Sequence, residues 1–373
     1  MAAQVRQAAA AGRPLRIRGG GSKDFYGQAL NGETLDMRAL SGIISYEPSE
    51  LVVTARAGTP LAELEALLAA QGQCLPFEPP HFGPNATVGG MVASGLNGPA
   101  RASSGAVRDF LLGVKLLNGQ GECLTFGGQV MKNVAGYDVS RLMAGALGTL
   151  GVLLEVSLKV LPVAPAEATL MCCLPQQAAL DLLNRWGGQP LPLNASCWVH
   201  DGTASPAQDF LFVRLRGAVA AVEAACPRMM ADVQAQGGNA QRMDNAQAAG
   251  DWAACREQTL PFFAQPPSPD ACLWRLSLPQ TTPALDLPFE PLIEWHGGLR
   301  WLWAPASAAT QLRALAHQAG GHVTLFRRAV AGATVEAPVF TPLAPVQARI
   351  QRALKQQFDP AGVFNPGRLS ADW

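Results

Sequence analysis

Two glycine-rich loops hold the residues best suited to grip a ligand. Arg18-Gly19-Gly20-Gly21-Ser22 forms the first, and Thr87-Val88-Gly89-Gly90, continuing through Ala93, Ser94, Asn97 and Gly98, forms the second. Glycine tolerates positive φ and carries no Cβ, so backbone N–H groups in such loops can close on a diphosphate. Two loops well apart in the chain suggest one long dinucleotide clasped from both sides. Neither shows G-x-G-x-x-G spacing with an acidic residue about twenty positions on, which argues against a Rossmann fold.

Other reactive side chains are scattered. The histidines at 81, 200, 296, 317 and 322 form no H-x-H or H-x-x-x-H pair, so no metal site is expected. Cysteines stand at 74, 123, 172, 173, 197, 226, 255 and 272 without a C-x-x-C pair. Iron–sulfur clusters of the usual kinds need grouped thiolates, so the chain is expected to carry none, and its cysteines read as buried thiols. His322, followed by Arg327 and Arg328, could hold a substrate carboxylate, with Trp295 and His296 as another wall. The same residues also suit an ordinary basic surface strand.

The elements that must position these residues show in the hydrophobic pattern. Leu15 and Ile17 alternate into the first loop as a short strand, and Leu51 to Ala57 reads as another. Thr59 as N-cap and Pro60 at the first helical position open a helix with Leu61, Leu64, Leu67 and Leu68 on one stripe, ending at Gly72. Segments 110–117 and 122–126 flank Asn118-Gly119, a hairpin signal. A short helix is expected near Asp138. Val152, Leu154, Val156, Leu158 and Val160 predict a strand with one core face. A Pro/Ala-rich stretch at 162–166 marks a domain boundary. Beyond it, strands at 195–200 and 210–215 and helices at 176–186 and 218–236 give an α+β pattern. The stretch 244–290 yields no clear elements, a last helix is expected at 344–357, and no internal repeat is visible.

The 373 residues exceed a usual single core, so two domains are expected. With 28 Lys plus Arg against 28 Asp plus Glu, no global field draws nucleic acid or anionic lipid. The N-terminal stretch lacks an apolar h-region and nothing reads as membrane-spanning, so a cytoplasmic location is expected, with any membrane association peripheral.

The loops, in this order, resemble the FAD-binding domain of the vanillyl-alcohol oxidase and p-cresol methylhydroxylase (PCMH) family. Residues 14–22 are similar to its first pyrophosphate loop, 87–109 to its second and 132–152 to its closing segment. FDPAGVFNPGRL at 358–369 is similar to the tail of flavin-dependent 2-hydroxy-acid dehydrogenases. RIRGGGSKDFYG at 16–27, IEWHGGLRWLW at 293–303 and GGHVTLFRR at 320–328 resemble the FAD-binding subunits of bacterial glycolate oxidase complexes. The resemblance implies an α+β fold: a PCMH-type FAD-binding domain of two subdomains over 1–163, a ferredoxin-like α+β cap over 168–335, and a helix and tail at 340–373 returning to the first domain.

For function the resemblance implies FAD, with Arg18, Gly19, Gly20, Gly21 and Ser22 on one side of the diphosphate and Thr87, Gly89 and Gly90 on the other. Ala93, Ser94, Gly98, Gly105 and Val107 would line the isoalloxazine and ribityl chain, and Gly148, Gly151 and Val152 the adenine end. Tyr137 and Lys132 fall in the closing segment. Several family members attach the flavin through a histidine after the first glycines. Gly21-Ser22-Lys23 offers none, so non-covalent FAD is expected. The implied partners are a larger flavin subunit and an iron–sulfur subunit, with glycolate or another small 2-hydroxy acid as substrate. A non-catalytic assembly module and an NADPH-dependent reductase of related fold remain alternatives.

Overall fold

The computed structural model describes residues 1–128, 138–202, 205–329 and 337–371. Lys132 and Tyr137 of the closing segment lie outside them. The chain forms two compact units, Met1–Asn97 with Ala106–Val163 and Pro338–Trp373, and Gly98–Gly105 with Ala164–Ala337. Residues 98–105 therefore pack with the second unit although they interrupt the first.

In the first unit, α1 (Ala2–Ala10) precedes β1 (Leu15–Arg18), which pairs in parallel with β2 (Glu33–Asp36). A five-stranded antiparallel sheet follows from β3 (Ile43–Glu47), β4 (Val52–Arg56), β5 (Leu111–Leu117), β6 (Cys123–Gly127) and β7 (Val152–Lys159), in the order β3-β4-β7-β5-β6. Helices α2 (Leu61–Ala69) and α3 (Val88–Ser94) bury Leu61, Leu64, Leu68, Val88, Met91 and Val92 in the same core as Val53, Val156 and Leu158.

The expected antiparallel hairpin at 110–126 forms, and two other local expectations need correction. Helix α2 begins one residue later than expected, with Pro60 as N-cap. Thr59 instead joins the neighbouring turn, its Oγ1 accepting from Gly42 N at 3.0 Å and donating to Gly42 O at 3.2 Å. The hairpin between β5 and β6 turns at Gly121, φ 75°, while Asn118 Oδ1 accepts from Gln120 N and Glu122 N. Strand β7 does not keep one core face. Its register against β5 shifts between Glu155 and Leu153, and an extra residue reverses the alternation of a strand. Val152 thereby joins a small cluster with Val5, Leu15 and Phe364, whereas Leu153, Val156 and Leu158 join the main core.

The second unit carries an eight-stranded sheet, all of whose pairings are antiparallel. Its first half is β8 (Ala166–Cys173), α4 (Gln176–Gly187), β9 (Leu193–Asp201), β10 (Gln208–Gly217), α5 (Val219–Ala235) and β11 (Asn239–Arg242), ordered β11-β8-β10-β9. This is the split βαβ arrangement of ferredoxin-like domains. Between the halves, α6 (Asn245–Glu257) is capped by Asp244, whose carboxylate accepts from Ala246 N and Gln247 N at 2.9 and 3.0 Å. The second half is β12 (Ala271–Ser277), β13 (Pro291–Glu294), β14 (Leu299–Pro305), α7 (Ala309–Gln318) and β15 (His322–Arg327), ordered β13-β14-β12-β15. Numbered within its half, that is the same 2-3-1-4 order with the first helix replaced by the segment 278–290. The structure thus holds an internal repeat that the sequence does not reveal, joined by the β9–β13 pairing.

Candidate functional site: a glycine-lined cleft

The cleft is built inside the first unit, where both glycine loops meet. Two adjoining hollows of about 70 and 90 Å³ share Ile17, Gly19, Thr87, Gly90, Ala93, Leu147 and Asn365. Loop approach explains the glycines. A Cβ on Gly19 would stand 2.3 Å from Thr87 Oγ1, and one on Gly20 would stand 1.4 Å from the Asn85 carbonyl oxygen. No side chain larger than hydrogen fits at either position without parting the loops.

Gly19, Gly20, Gly21 and Ser22 present four consecutive N–H groups with no protein acceptor among the described residues. Half-buried backbone donors of this kind ask for an anion or water. Across the cleft Gly90 N donates to Thr87 Oγ1 at a long 3.2 Å, and a Cβ on Gly90 would meet only that oxygen, at 3.0 Å. Gly89 has another role. Its N–H donates to Ala57 O at 2.7 Å, and an added Cβ would collide with Ala57, so Gly89 seats α3 against the neighbouring chain.

Arg18 does not face the cleft as a free cation. Its Nε lies 2.8 Å from Asp24 Oδ2, which Arg16 also reaches at 2.6 Å. The guanidinium folds beneath Gly21, whose Cβ would stand 2.0 Å from Arg18 Nη2. Arg18 therefore braces the loop, and the donors are backbone. Ala93 and Ser94 line one hollow, with Ser94 Oγ donating to Met91 O at 3.0 Å. Gly148 and Gly151 line the other, at φ 73° and 157°.

Four expected residues lie elsewhere. Gly98 and Gly105 belong to the second unit, where Gly98 O accepts from Trp295 Nε1 at 3.0 Å. Val107 and Val152 are core residues, 1% and 0% exposed. His322 and Arg327 sit on β15 in the second unit. Loss of hydration, and then the Arg275 guanidinium, push the His322 imidazole below its usual range, and loss of hydration lowers Arg327. His322 is exposed nonetheless, and the Arg275 guanidinium on the paired strand β12 stands beside it.

The C-terminal tail contributes residues that sequence reasoning did not single out. Asn365 Oδ1 accepts from Ile17 N at 2.8 Å and its Nδ2 donates to Leu147 O at 2.7 Å, so one amide ties the strand before the first loop to the closing segment. Arg368 donates to the carbonyls of Gln28 and, at 3.0 Å, Asp24. Behind them Lys355 Nζ reaches Asp359 Oδ2 at 2.7 Å, Thr149 O at 2.8 Å and Phe364 O at 2.9 Å. Burial lowers the Lys355 ammonium while Asp359 opposes that shift. The available signal was Asn-Pro-Gly-Arg, a turn whose asparagine side chain can replace a backbone partner.

Open donors, backbone-to-backbone approach and an acid already neutralised by two arginines fit the diphosphate of a flavin nucleotide. Among the described residues lining the cleft there is neither histidine nor cysteine. Among the described residues no group of three or more His, Cys, Asp or Glu could hold a metal ion, and no helix is long and apolar enough to cross a membrane.

Residues 1–127 match the family model of the FAD binding domain. The chain is 46% identical over 370 residues to glycolate oxidase subunit GlcE of Escherichia coli, covering 99% of this chain and 96% of that one. It is 28% identical over 159 residues to the mitochondrial D-lactate dehydrogenase (cytochrome) of Arabidopsis thaliana, covering 42% of this chain and 28% of that one. Among solved structures, alkyldihydroxyacetonephosphate synthase superposes with a TM-score of 0.68 at 15% identity, over 98% of this chain and 74% of that one, which concerns the fold alone. The chain is an FAD-binding flavoprotein of the oxidoreductase class and belongs to the family of the glycolate oxidase subunit GlcE.

Proposed function

We propose that this chain is the FAD-carrying subunit of a complex that oxidises glycolate, or a small 2-hydroxy acid of that kind, to the 2-oxo acid glyoxylate. The observation that carries the reading is the convergence of Gly19–Ser22 and Thr87–Gly90 on one cleft, within a chain similar to GlcE along nearly its whole length. Bound FAD supplies an acceptor for the hydride that leaves the substrate carbon as the hydroxyl proton departs. The N–H groups of Gly19, Gly20, Gly21 and Ser22 hold the diphosphate, with Gly90 opposite. Ala93, Ser94, Gly148 and Gly151 leave room for the nucleotide, and Thr87 and Asn365 fix the two walls. FAD is held without a covalent bond, because the cleft lining offers no histidine or cysteine to form one.

Partners in this reading are a larger flavin subunit and an iron–sulfur subunit that receives the electrons, with the assembly cytoplasmic or peripheral at a membrane. A second reading, in which this flavin relays electrons without meeting the hydroxy acid, is favoured by one observation: His322 and Arg327, the residues suited to a carboxylate, lie on β15 and are not among the residues lining the FAD cleft. Co-expression with the partner chains tests the main reading. Copurification with FAD, and glycolate-driven dye reduction by the complex but not by complex lacking this chain, are expected. A colourless, folded chain that added FAD does not turn yellow would overturn it, and bleaching by NADPH would favour a reductase.

A further inference from the structure

A cavity of about 450 Å³ lies wholly within the second unit and plays no part in the FAD cleft. Its floor is the sheet face turned away from α4 and α5. Trp198, Leu211 and Val213 point to those helices, and Val199, Phe210 and Phe212, next to them in sequence, point into the cavity. Its roof is α6 and the segment 260–265. Trp252 is fixed there by donating from Nε1 to Thr169 Oγ1 at 3.0 Å.

Charge and size define what fits. Phe210 and Phe212 stand with ring centroids 6.1 Å apart and Phe262 adds further aromatic surface, while the buried Arg214 guanidinium already stands over the Trp252 ring, 4.9 Å from its centroid. No lysine or arginine is among the lining residues, whereas Asp201 and Asp251 are. His200, the basic residue at the wall, already holds Asp209 Oδ1 at 2.7 Å. Behind the lining, buried Glu294 accepts from Cys255 Sγ at 3.2 Å and from Trp301 Nε1 at 2.6 Å. Asp251, on α6 next to Trp252, is an exposed residue at this wall. Aromatic faces beside carboxylates attract cations, and a cavity of this volume matches a drug-sized ligand better than a two-carbon acid.

We propose that this cavity binds a planar aromatic cation, a ring system carrying a protonated amine, and excludes small hydroxy-acid anions. The test uses FAD-loaded full-length chain and calorimetric titration with proflavine, a cationic acridine, against the anionic dye anilinonaphthalene sulfonate and against glycolate. Proflavine binding, no displacement by glycolate, and roughly fivefold weaker binding in Asp251→Asn are expected, with weaker binding at higher salt. Val199→Trp, which fills the cavity, should abolish binding at unchanged flavin content. If that variant does not fold, Phe212→Leu serves, with a smaller loss expected. Equal binding of both dyes, displacement by glycolate, or full affinity in Asp251→Asn would each overturn the assignment.

Discussion

Glycines that look alike in the sequence do three different jobs. At Gly20 a methyl group would meet backbone at 1.4 Å, so Gly20→Ala must part the loops, and loss of both flavin and stability is expected. Gly90→Ala is the milder probe, because its Cβ meets one side-chain atom, Thr87 Oγ1 at 3.0 Å, which must give by a few tenths of an ångström, and alanine favours the helix. Melting temperature should fall less than in Gly20→Ala while bound FAD falls at least about tenfold, about 1.4 kcal/mol of affinity; undiminished absorbance near 450 nm would show that the ligand does not approach Gly90. Gly89, read as a donor, seats a helix, a distinction composition cannot reveal. His296 shows another limit of sequence reading. Trp295 and His296 both adopt positive φ, and the imidazole bridges Ser196 Oγ at 3.0 Å and Ser103 Oγ at 2.9 Å within the second unit. Burial lowers it from 6.5 to about 4, so the folded chain keeps it neutral. Above the unfolded value both states are neutral and stability is full. As pH falls from 6.5 toward 4 the unfolded chain alone takes the proton, and stability drops by about 3 kcal/mol. Denaturation at stepped pH should show a shallower acid loss in His296→Gln than in the parent chain. Equal slopes would mean the ring is hydrated.

Elements were legible where the pattern was local. Up to residue 236, β1, β4, α2, the β5–β6 hairpin, β7, α4, β9, β10 and α5 were visible from periodicity, whereas α1, β2, β3, α3 and β8 were not. Helix α6 was missed because alanine, glycine and polar residues make up most of its faces, burying Ala248, Trp252 and Cys255. The repeat in the second unit was hidden for a stronger reason: the second half lacks its first helix, and pairing order is a non-local property that no window of sequence displays. The C-terminal helix Pro345–Phe358 is a similar case. Its buried residue is not an aliphatic one but Lys355, whose hydrogen bonds set the tail against residues 149 and 364. Asp359, its partner, also accepts from Val363 N and Phe364 N at 3.1 and 2.8 Å. Lys355→Met should leave that carboxylate buried without compensation and cost about 3–5 kcal/mol in urea unfolding. Because the tail presents Asn365 to the cleft, FAD should also be held more weakly. A cost below about 1 kcal/mol would show that water reaches the pair.

At the scale of the whole chain, the resemblance carried by the two loops and the tail identified FAD and the family, since each segment supplies backbone that must meet a fixed ligand. The division of labour with partner chains was not legible, because it depends on groups that no local pattern of the sequence brings together. Oxidising a hydroxy acid needs a cation for the carboxylate and a group to take the hydroxyl proton. The second unit sets Arg275 and Arg327 on the paired strands β12 and β15 with His322, and holds a cavity whose lining includes Asp201 and Asp251 but no lysine or arginine. The arginines suit a small anion and the cavity does not. On the relay reading, glycolate added anaerobically to the isolated, FAD-loaded chain should leave the 450 nm band in place, whereas the same addition to the assembled complex should bleach it. Dithionite supplies the control, since it reduces any accessible flavin whatever the pocket chemistry. Rapid bleaching of the isolated chain by glycolate would reverse the relay reading and place substrate oxidation on this subunit, and a flavin that stays oxidised in the complete complex would remove it from the electron path.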